Sequence, residues 1–269
     1  MSEFQFELFT EEDITNLPLI QPADWPDITP TFLHYLHSSF CFPYKLIADN
    51  TFAGTGTVII HNDVAWLAHI IVHLDHRKKG LGNFITQSLL SSLQDKNCST
   101  VYLIATDLGL PVYLKQGFLE DTEYVAYKKT AELPQFSTNE NITGFTEIYK
   151  EQIKRLDRKI SGEDRFFILE EHLQKARIYQ NNNTVEGFYL PTLGEGLIIA
   201  ENSIAGIALM KERLSTHENA ILPVDNKEGI KFLEDLHLTR VRVMKRMYTG
   251  EKRKWFPQHL YNRIGGNVG

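Results

Sequence analysis

Between Ala68 and Leu90 the sequence reads AHIIVHLDHRKKGLGNFITQSLL. Three cations, Arg77, Lys78 and Lys79, stand just before Gly80 and Gly82, where an apolar strand pattern gives way to an apolar helix pattern. Glycine lets a backbone take unusual dihedrals and come close to a ligand. The first N–H groups of a helix have no internal acceptors, and the helix dipole makes that end positive. With full cationic charges beside them, such groups suit an anion carrying two phosphates. A surface turn whose cations simply face water is the other reading of the same residues. The turn is not a nucleotide P-loop, since G-x-x-x-x-G-K-[ST] is absent, and its single G-x-G falls short of the dinucleotide fingerprint.

Several elements must position this turn. FQFELFT alternates as a strand, and TEEDITNL follows with Thr10 as an N-cap candidate. QPADWPDITP is irregular, and TPTFLHYLHSSF reads as a short helix. YKLIAD and FAGTGTVIIHND are strands joined by a turn at Asp49–Asn50, and VAWLAHIIV is a further strand. Leu81, Ile85, Leu89 and Leu93 form an apolar stripe on the helix after the turn. STVYLIAT, GLPVYLKQGF and EDTEYVAYKK then give strand, helix and strand. This order predicts an α/β (α+β) fold with a mixed central sheet and flanking helices.

Polar residues 131–143 read as a linker between a domain at 1–130 and another at 144–269. The later region repeats the earlier one in element order. LEDLHLTRVRVMKRM echoes LKQGFLEDTEYVAYKK, and the turn aligned with RKKGLG is ENSIAG.

The bulk numbers narrow the class. The 269 residues are 42% hydrophobic and 23% charged, with a net charge of −6, so nothing global points to nucleic acid or an anionic membrane. Cys41 and Cys98 form no metal-ligand spacing and no disulfide framework. MSEFQFELFTEED lacks the apolar core of a signal peptide, and no run approaches the about 20 apolar residues of a membrane span. The expectation is a cytoplasmic, enzyme-sized protein without a metal.

Two motifs carry a family resemblance. VHLDHRKKGLGNFI resembles the acetyl-CoA signature [Q/R]-x-x-G-x-[G/A] of the GCN5-related N-acetyltransferases, filled by Arg77, Gly80 and Gly82. VYLKQGF, Val112 to Phe118, resembles the family's second CoA-site segment. The likeness spans roughly residues 4 to 129, and the repeat after it looks like the two-part bacterial branch typified by YitH. The resemblance implies the GNAT fold and an acetyl-CoA-dependent transfer to a primary amine, small molecule or protein, with acetyl-CoA as co-substrate. It places Ile70, Ile71 and Val72 along the pantetheine arm. Arg77, Lys78, Lys79, Gly80, Leu81, Gly82 and Asn83 fall at the pyrophosphate.

Tyr113 matches the tyrosine that protonates the departing thiolate; an amphipathic packing residue is its plainer reading. The family's base position falls on Trp66, which cannot be a base. His69 is the titratable residue of that strand, but strict alternation turns it away from the face of Trp66 unless a bulge intervenes. His73 and His76 belong to the loop, facing solvent or phosphate.

FLHYLHSSFCFPY lies where the family builds its acceptor wall. In the second half Glu201 stands in place of a cation and Phe232 in place of Tyr113, which implies a degenerate copy without the CoA signature. Asp164 and Arg165 read as surface charges or cleft residues, and RVRVMKRM as a strand with one solvated face. The other functional readings are a non-catalytic acyl-CoA sensor and, from the basic run, an RNA-associated protein. The acceptor and the oligomeric state stay open.

Overall fold

The computed structural model describes residues 4–23 and 25–269. The chain forms two compact units. The first takes the residues up to Leu119 together with Met247–Lys252 and Gly266–Val268; the second takes Glu120–Arg246, Arg253–Gly265 and Gly269. These differ from the contiguous domains 1–130 and 144–269 expected from the sequence. Almost all of the strand after Leu119 falls to the second unit, and two late segments complete the first.

The first unit contains β1 (Phe4–Leu8), α1 (Leu17–Ile20), α2 (Thr29–His37), β2 (Cys41–Ala48), β3 (Thr51–His61), β4 (Val64–Val72), α3 (Leu81–Ser91), β5 (Thr100–Ala105) and α4 (Leu110–Lys115). Its strands lie in the order β1-β2-β3-β4-β5, antiparallel except for the parallel β4–β5 pair. Asp49 and Asn50, at φ 50° and 58°, make the left-handed pair that a two-residue hairpin requires between β2 and β3. Leu81, Ile85 and Leu89 turn one face of α3 onto Leu46, Val58, Ala65, Leu67 and Leu103, and Leu93, just past the helix, joins the same core. Fully burying such a side chain contributes roughly 1.5–3 kcal/mol, so the start of α3 is held on a firm base. Beside β5, Glu251 donates its N–H to the Ser99 carbonyl at 2.9 Å, and Thr100 Oγ1 donates to the Glu251 carbonyl at 2.8 Å.

The chain continues through β6 (Leu119–Lys128), β7 (Ile142–Gly144), α5 (Lys150–Ser161), α6 (Phe166–Glu170), β8 (Arg177–Asn181), β9 (Thr184–Leu190), β10 (Leu197–Ala200), α7 (Ser203–Leu214), β11 (Asn219–Pro223), α8 (Lys227–Asp235), β12 (Thr239–Gly250) and β13 (Leu260–Asn262). In the second unit one sheet runs β13-β10-β9-β8-β7, and β11 pairs antiparallel with β6. Asn182 and Asn183, at φ 49° and 62°, close the β8–β9 hairpin as Asp49 and Asn50 close β2–β3. Strand, helix, strand, helix then recur as β10, α7, β11 and α8.

Two charge expectations change. In RVRVMKRM the early Arg240, Val241 and Arg242 are exposed, but Met244 and Arg246 are buried. Arg246 lies 3.6 Å from both Asp121 and Glu163, with its guanidinium 3.9 Å from the centre of the Trp255 ring. Arg165 is also buried, 3.0 Å from Asp157, whereas its neighbour Asp164 is only half-buried, 4.0 Å from Arg158. Buried cations persist only where anions meet them; Asp157 meets Arg165 from the neighbouring α5, and the acids of Arg246 come from distant stretches.

Candidate active site

β4 and β5 pair from Val64 opposite Thr100 to Leu67 opposite Leu103, and no further. On its other edge β4 stays paired with β3, through Ala68–Thr57, Ile71–Thr55 and Val72–Gly54. The β5-facing edge of Ala68–Val72 is therefore open, the arrangement that accepts an extended ligand as an added strand. Ile70, Ile71 and Val72 all lie along this edge.

The same stretch is bulged. Between the Ala68 and Ile71 pairs β4 has two residues, His69 and Ile70, where β3 has only Gly56. His69 takes φ 48°. A bulge shifts the alternation of side chains. Ala65 and Leu67 pack in the core under α3, and beyond the bulge Ile70 and Val72 pack there too. His69 instead meets Trp25, Phe32 and Tyr35, with ring centroids 6.0, 5.5 and 5.6 Å away. Trp66 is fully buried and packs on Tyr102 at 5.1 Å.

Enclosure by these rings lowers the His69 pKa to about 4, so the imidazole is neutral near pH 7. Its Nδ1 lies 3.1 Å from the Tyr35 hydroxyl, and that hydroxyl oxygen accepts a bond from Asn267 Nδ2 at 2.9 Å. Burial raises the Tyr35 pKa far above the usual phenol value, so Tyr35 keeps its proton. Asn267 belongs to the Gly266–Val268 segment of the first unit.

The turn after β4 is concave. Lys78 and Gly80 take φ 61° and 84°. The first bond closing α3 runs from the Phe84 N–H to the Gly80 carbonyl at 3.1 Å. Ahead of it, the six N–H groups of Lys78, Lys79, Gly80, Leu81, Gly82 and Asn83 donate to no protein acceptor among the described residues. Arg77, Lys78 and Lys79 are exposed beside them. Arg77 Nε also donates to the Val72 carbonyl at 3.1 Å, tying the turn to the open end of β4. Leu81 is buried, so its side chain anchors the turn. Asn83 accepts a bond from Gln116 Nε2 at 2.5 Å, linking the turn to the residue capping α4. His73 and His76 make local contacts: His73 Nδ1 accepts the Asp75 N–H at 3.2 Å, and His76 Nε2 lies 3.3 Å from Thr51 Oγ1.

On α4, Tyr113 is buried with its ring 6.1 Å from that of Phe118. Burial pushes its pKa up to about 12, so the phenol stays protonated and able to donate. The sequence did not single out Trp25, which lies in a proline-rich stretch, nor Asn267, which is remote along the chain.

The second unit has the equivalent gap between β10 and β11, but β13 fills it. β13 pairs with β10 through Ile198–Asn262 and Ile199–Leu260. On the other side, the Arg263 N–H donates to the Ile221 carbonyl at 3.0 Å, and the Ile221 N–H donates to Asn262 Oδ1 at 2.9 Å. Asn262 Nδ2 reaches the Glu195 and Gly196 carbonyls at 2.9 and 2.8 Å. Tyr261 covers Gly206, the α7 residue that aligns with Gly82. A methyl group on Gly206 would sit 2.3 Å from the Tyr261 ring, whereas on Gly82 it would meet Val112 and Val72 at 3.9 and 4.0 Å. Where α3 opens with unpaired N–H groups, Asn202 caps α7 by accepting the Ala205 N–H at 2.9 Å. Glu201 pairs with Lys159 at 2.7 Å.

The acetyltransferase (GNAT) family model matches residues 6–118, and an acetyltransferase (GNAT) domain model matches residues 153–262. No curated protein sequence matches the chain. A Pyrococcus horikoshii protein described as a candidate acetyltransferase superposes with TM-score 0.84 at 20% identity, over 99% of this chain and 96% of its own. A GCN5-related N-acetyltransferase from Sphaerobacter thermophilus gives 0.63 at 14% identity, over 94% and 97%. A tandem GNAT protein of the clavulanic acid biosynthesis pathway gives 0.64 at 10% identity, over 94% and 100%. Among the described residues no helix is long and apolar enough to cross a membrane.

Proposed function

Because the chain belongs to the GCN5-related N-acetyltransferase superfamily and carries two of its domains in tandem, we propose that its first unit transfers the acetyl group of acetyl-CoA directly to a primary amine. The observation that carries this reading is the run of six unpaired N–H groups, Lys78 to Asn83, beside three exposed cations at the mouth of an open strand gap. The diphosphate of CoA satisfies that turn, with Arg77, Lys78 and Lys79 adding charge. The pantetheine arm then lies against the open edge of Ala68–Val72. The acceptor, a small-molecule or protein amine, approaches from the side of α2. The two-domain layout supports a place in the two-part YitH-like branch.

Attack joins the amine nitrogen to the thioester carbon, and collapse breaks the C–S bond. Tyr113 gives its proton to the departing thiolate. With its pKa near 12, that transfer requires the thiolate to be desolvated too, which raises its basicity. The extra proton on nitrogen leaves to water. The test is calorimetric titration with acetyl-CoA, followed by release of CoA thiol across a panel of amines. Binding at one site per chain with turnover is expected. Absence of binding overturns the reading.

Trp66 at the base position favours a second reading, an acyl-CoA-binding sensor. Binding without turnover on any amine is its signature.

A further inference from the structure

Asn267 Nδ2 can only donate, and it donates to the Tyr35 oxygen at 2.9 Å. The Tyr35 proton is thereby left to point at His69 Nδ1, 3.1 Å away. An Nδ1 that accepts cannot carry the proton of a neutral imidazole, so that proton sits on Nε2. His69 Nε2 in turn makes no hydrogen bond among the described residues. The bulge sets this ring where β4 and β5 part, just past the last pair at Leu67 and Leu103.

We infer that the Asn267–Tyr35 chain holds His69 as a hydrogen-bond donor through Nε2–H, directed to the thioester oxygen, and bars it from acting as the general base. This rests on the proposed acetyl transfer. As the amine nitrogen bonds to the carbonyl carbon, the carbonyl π electrons move to oxygen, and Nε2–H stabilises the charge that develops there. When the carbonyl re-forms and the C–S bond breaks, that charge leaves with the thiolate, which takes the Tyr113 proton. His69 gains and loses no proton. The low pKa of the buried ring suits this role, since a neutral donor keeps its proton through the cycle. Tyr35 and Asn267 are positioning residues: they act through the ring.

The groups that could disturb the titration are few. Tyr35 lies on α2 with His34 beside it, their rings 6.4 Å apart. Cys41 on β2 has its thiol pushed up to about 12 by burial and stays protonated. The pH profile of kcat should therefore show no His69 limb between pH 6 and 8 (roughly the range where an unperturbed imidazole titrates).

The full chain labelled with ¹⁵N-histidine tests the inference without requiring turnover. His69 signals, identified by their loss in His69→Asn, should show a protonated Nε2 and an unprotonated Nδ1 at pH 7. Tyr35→Phe should let the two tautomers mix. Asn267→Asp reverses the chain, because the introduced carboxylate accepts the Tyr35 proton and turns the phenol oxygen toward an Nδ1–H; the Nε2 proton signal should vanish. In both variants kcat should fall about 10-fold or more, in line with a lost or misdirected oxyanion donor, while acetyl-CoA affinity stays unchanged. Unprotonated Nε2 in the wild type, or faster turnover in Asn267→Asp, overturns the inference and makes His69 a base. If no amine is acetylated the transfer reading fails, while the tautomer signals still decide how the chain holds His69.

Discussion

The two halves use the same gap between strands in opposite ways. In the first, β4 and β5 separate after Leu67 and Leu103, and the turn into α3 leaves six N–H groups without a partner among the described residues. In the second, Leu260–Arg263 bridges β10 and β11 with backbone and Asn262 side-chain bonds, and Tyr261 seals Gly206. An open strand edge is a binding device only while nothing of the protein's own covers it. The second half has Glu201 where the first has a cation, and an internal strand lies in its gap. The difference teaches that the two halves diverge in what fills the gap as well as in the charge beside it.

The comparison can be broken most sharply at Asn262. Asn262→Ala removes the partner of the Ile221 N–H and the Gly196 carbonyl, and one of the donors to the Glu195 carbonyl, and should cost about 3 kcal/mol in a urea titration. A loss under about 0.5 kcal/mol would show that the bridge is incidental. Next comes the matched glycine pair. Gly206→Ala drives a methyl into Tyr261 and should cost about 2 kcal/mol, whereas Gly82→Ala should leave stability unchanged or slightly raised and weaken acetyl-CoA binding. Equal effects on stability would erase the contrast between filled and open gaps.

Arg77→Glu puts an anion at the diphosphate and should weaken acetyl-CoA binding about 10–100-fold, the scale of a charge-assisted hydrogen bond, less so at high salt. Glu201→Arg should create no second site, so calorimetry should still count one acetyl-CoA per chain; a stoichiometry of two would end the comparison. The smallest effect is at Tyr113. Tyr113→Phe retains the ring and its packing, and kcat should fall about 10-fold, the low end for a lost general acid, with binding unchanged. An unaltered kcat would make Tyr113 a packing residue.

Local patterns were legible where a few neighbouring residues decide the outcome. The stripe of Leu81, Ile85, Leu89 and Leu93, the Asp49–Asn50 hairpin and the cationic glycine turn could all be read from spacing. The bulge at His69 was not, because it comes from register against β3, where one residue, Gly56, faces two. Strict alternation, applied to the sequence, turns that ring the wrong way. Arg165 was read as a surface or cleft charge, and the basic run around Arg246 as a strand with one solvated face; the acids beside Arg246, Asp121 and Glu163, come from distant segments. Asn267 and the Leu260–Arg263 bridge escaped for the same reason, since nothing in a local window says which strand gap a late segment will enter.

The Glu251–Ser99 and Thr100–Glu251 bonds bear on how the protein is made. A chain emerging from the ribosome exposes β5 long before Glu251 and Asn267 are synthesised. At about 5–20 residues per second, roughly ten to thirty seconds pass with that flank of β5 uncovered and Tyr35 lacking Asn267. The first unit thus reaches its finished form only after the residues through Gly265 of the second have been translated. A message cut short within that domain would yield a first half bearing the cationic glycine turn but lacking Asn267, which donates to Tyr35 beside His69.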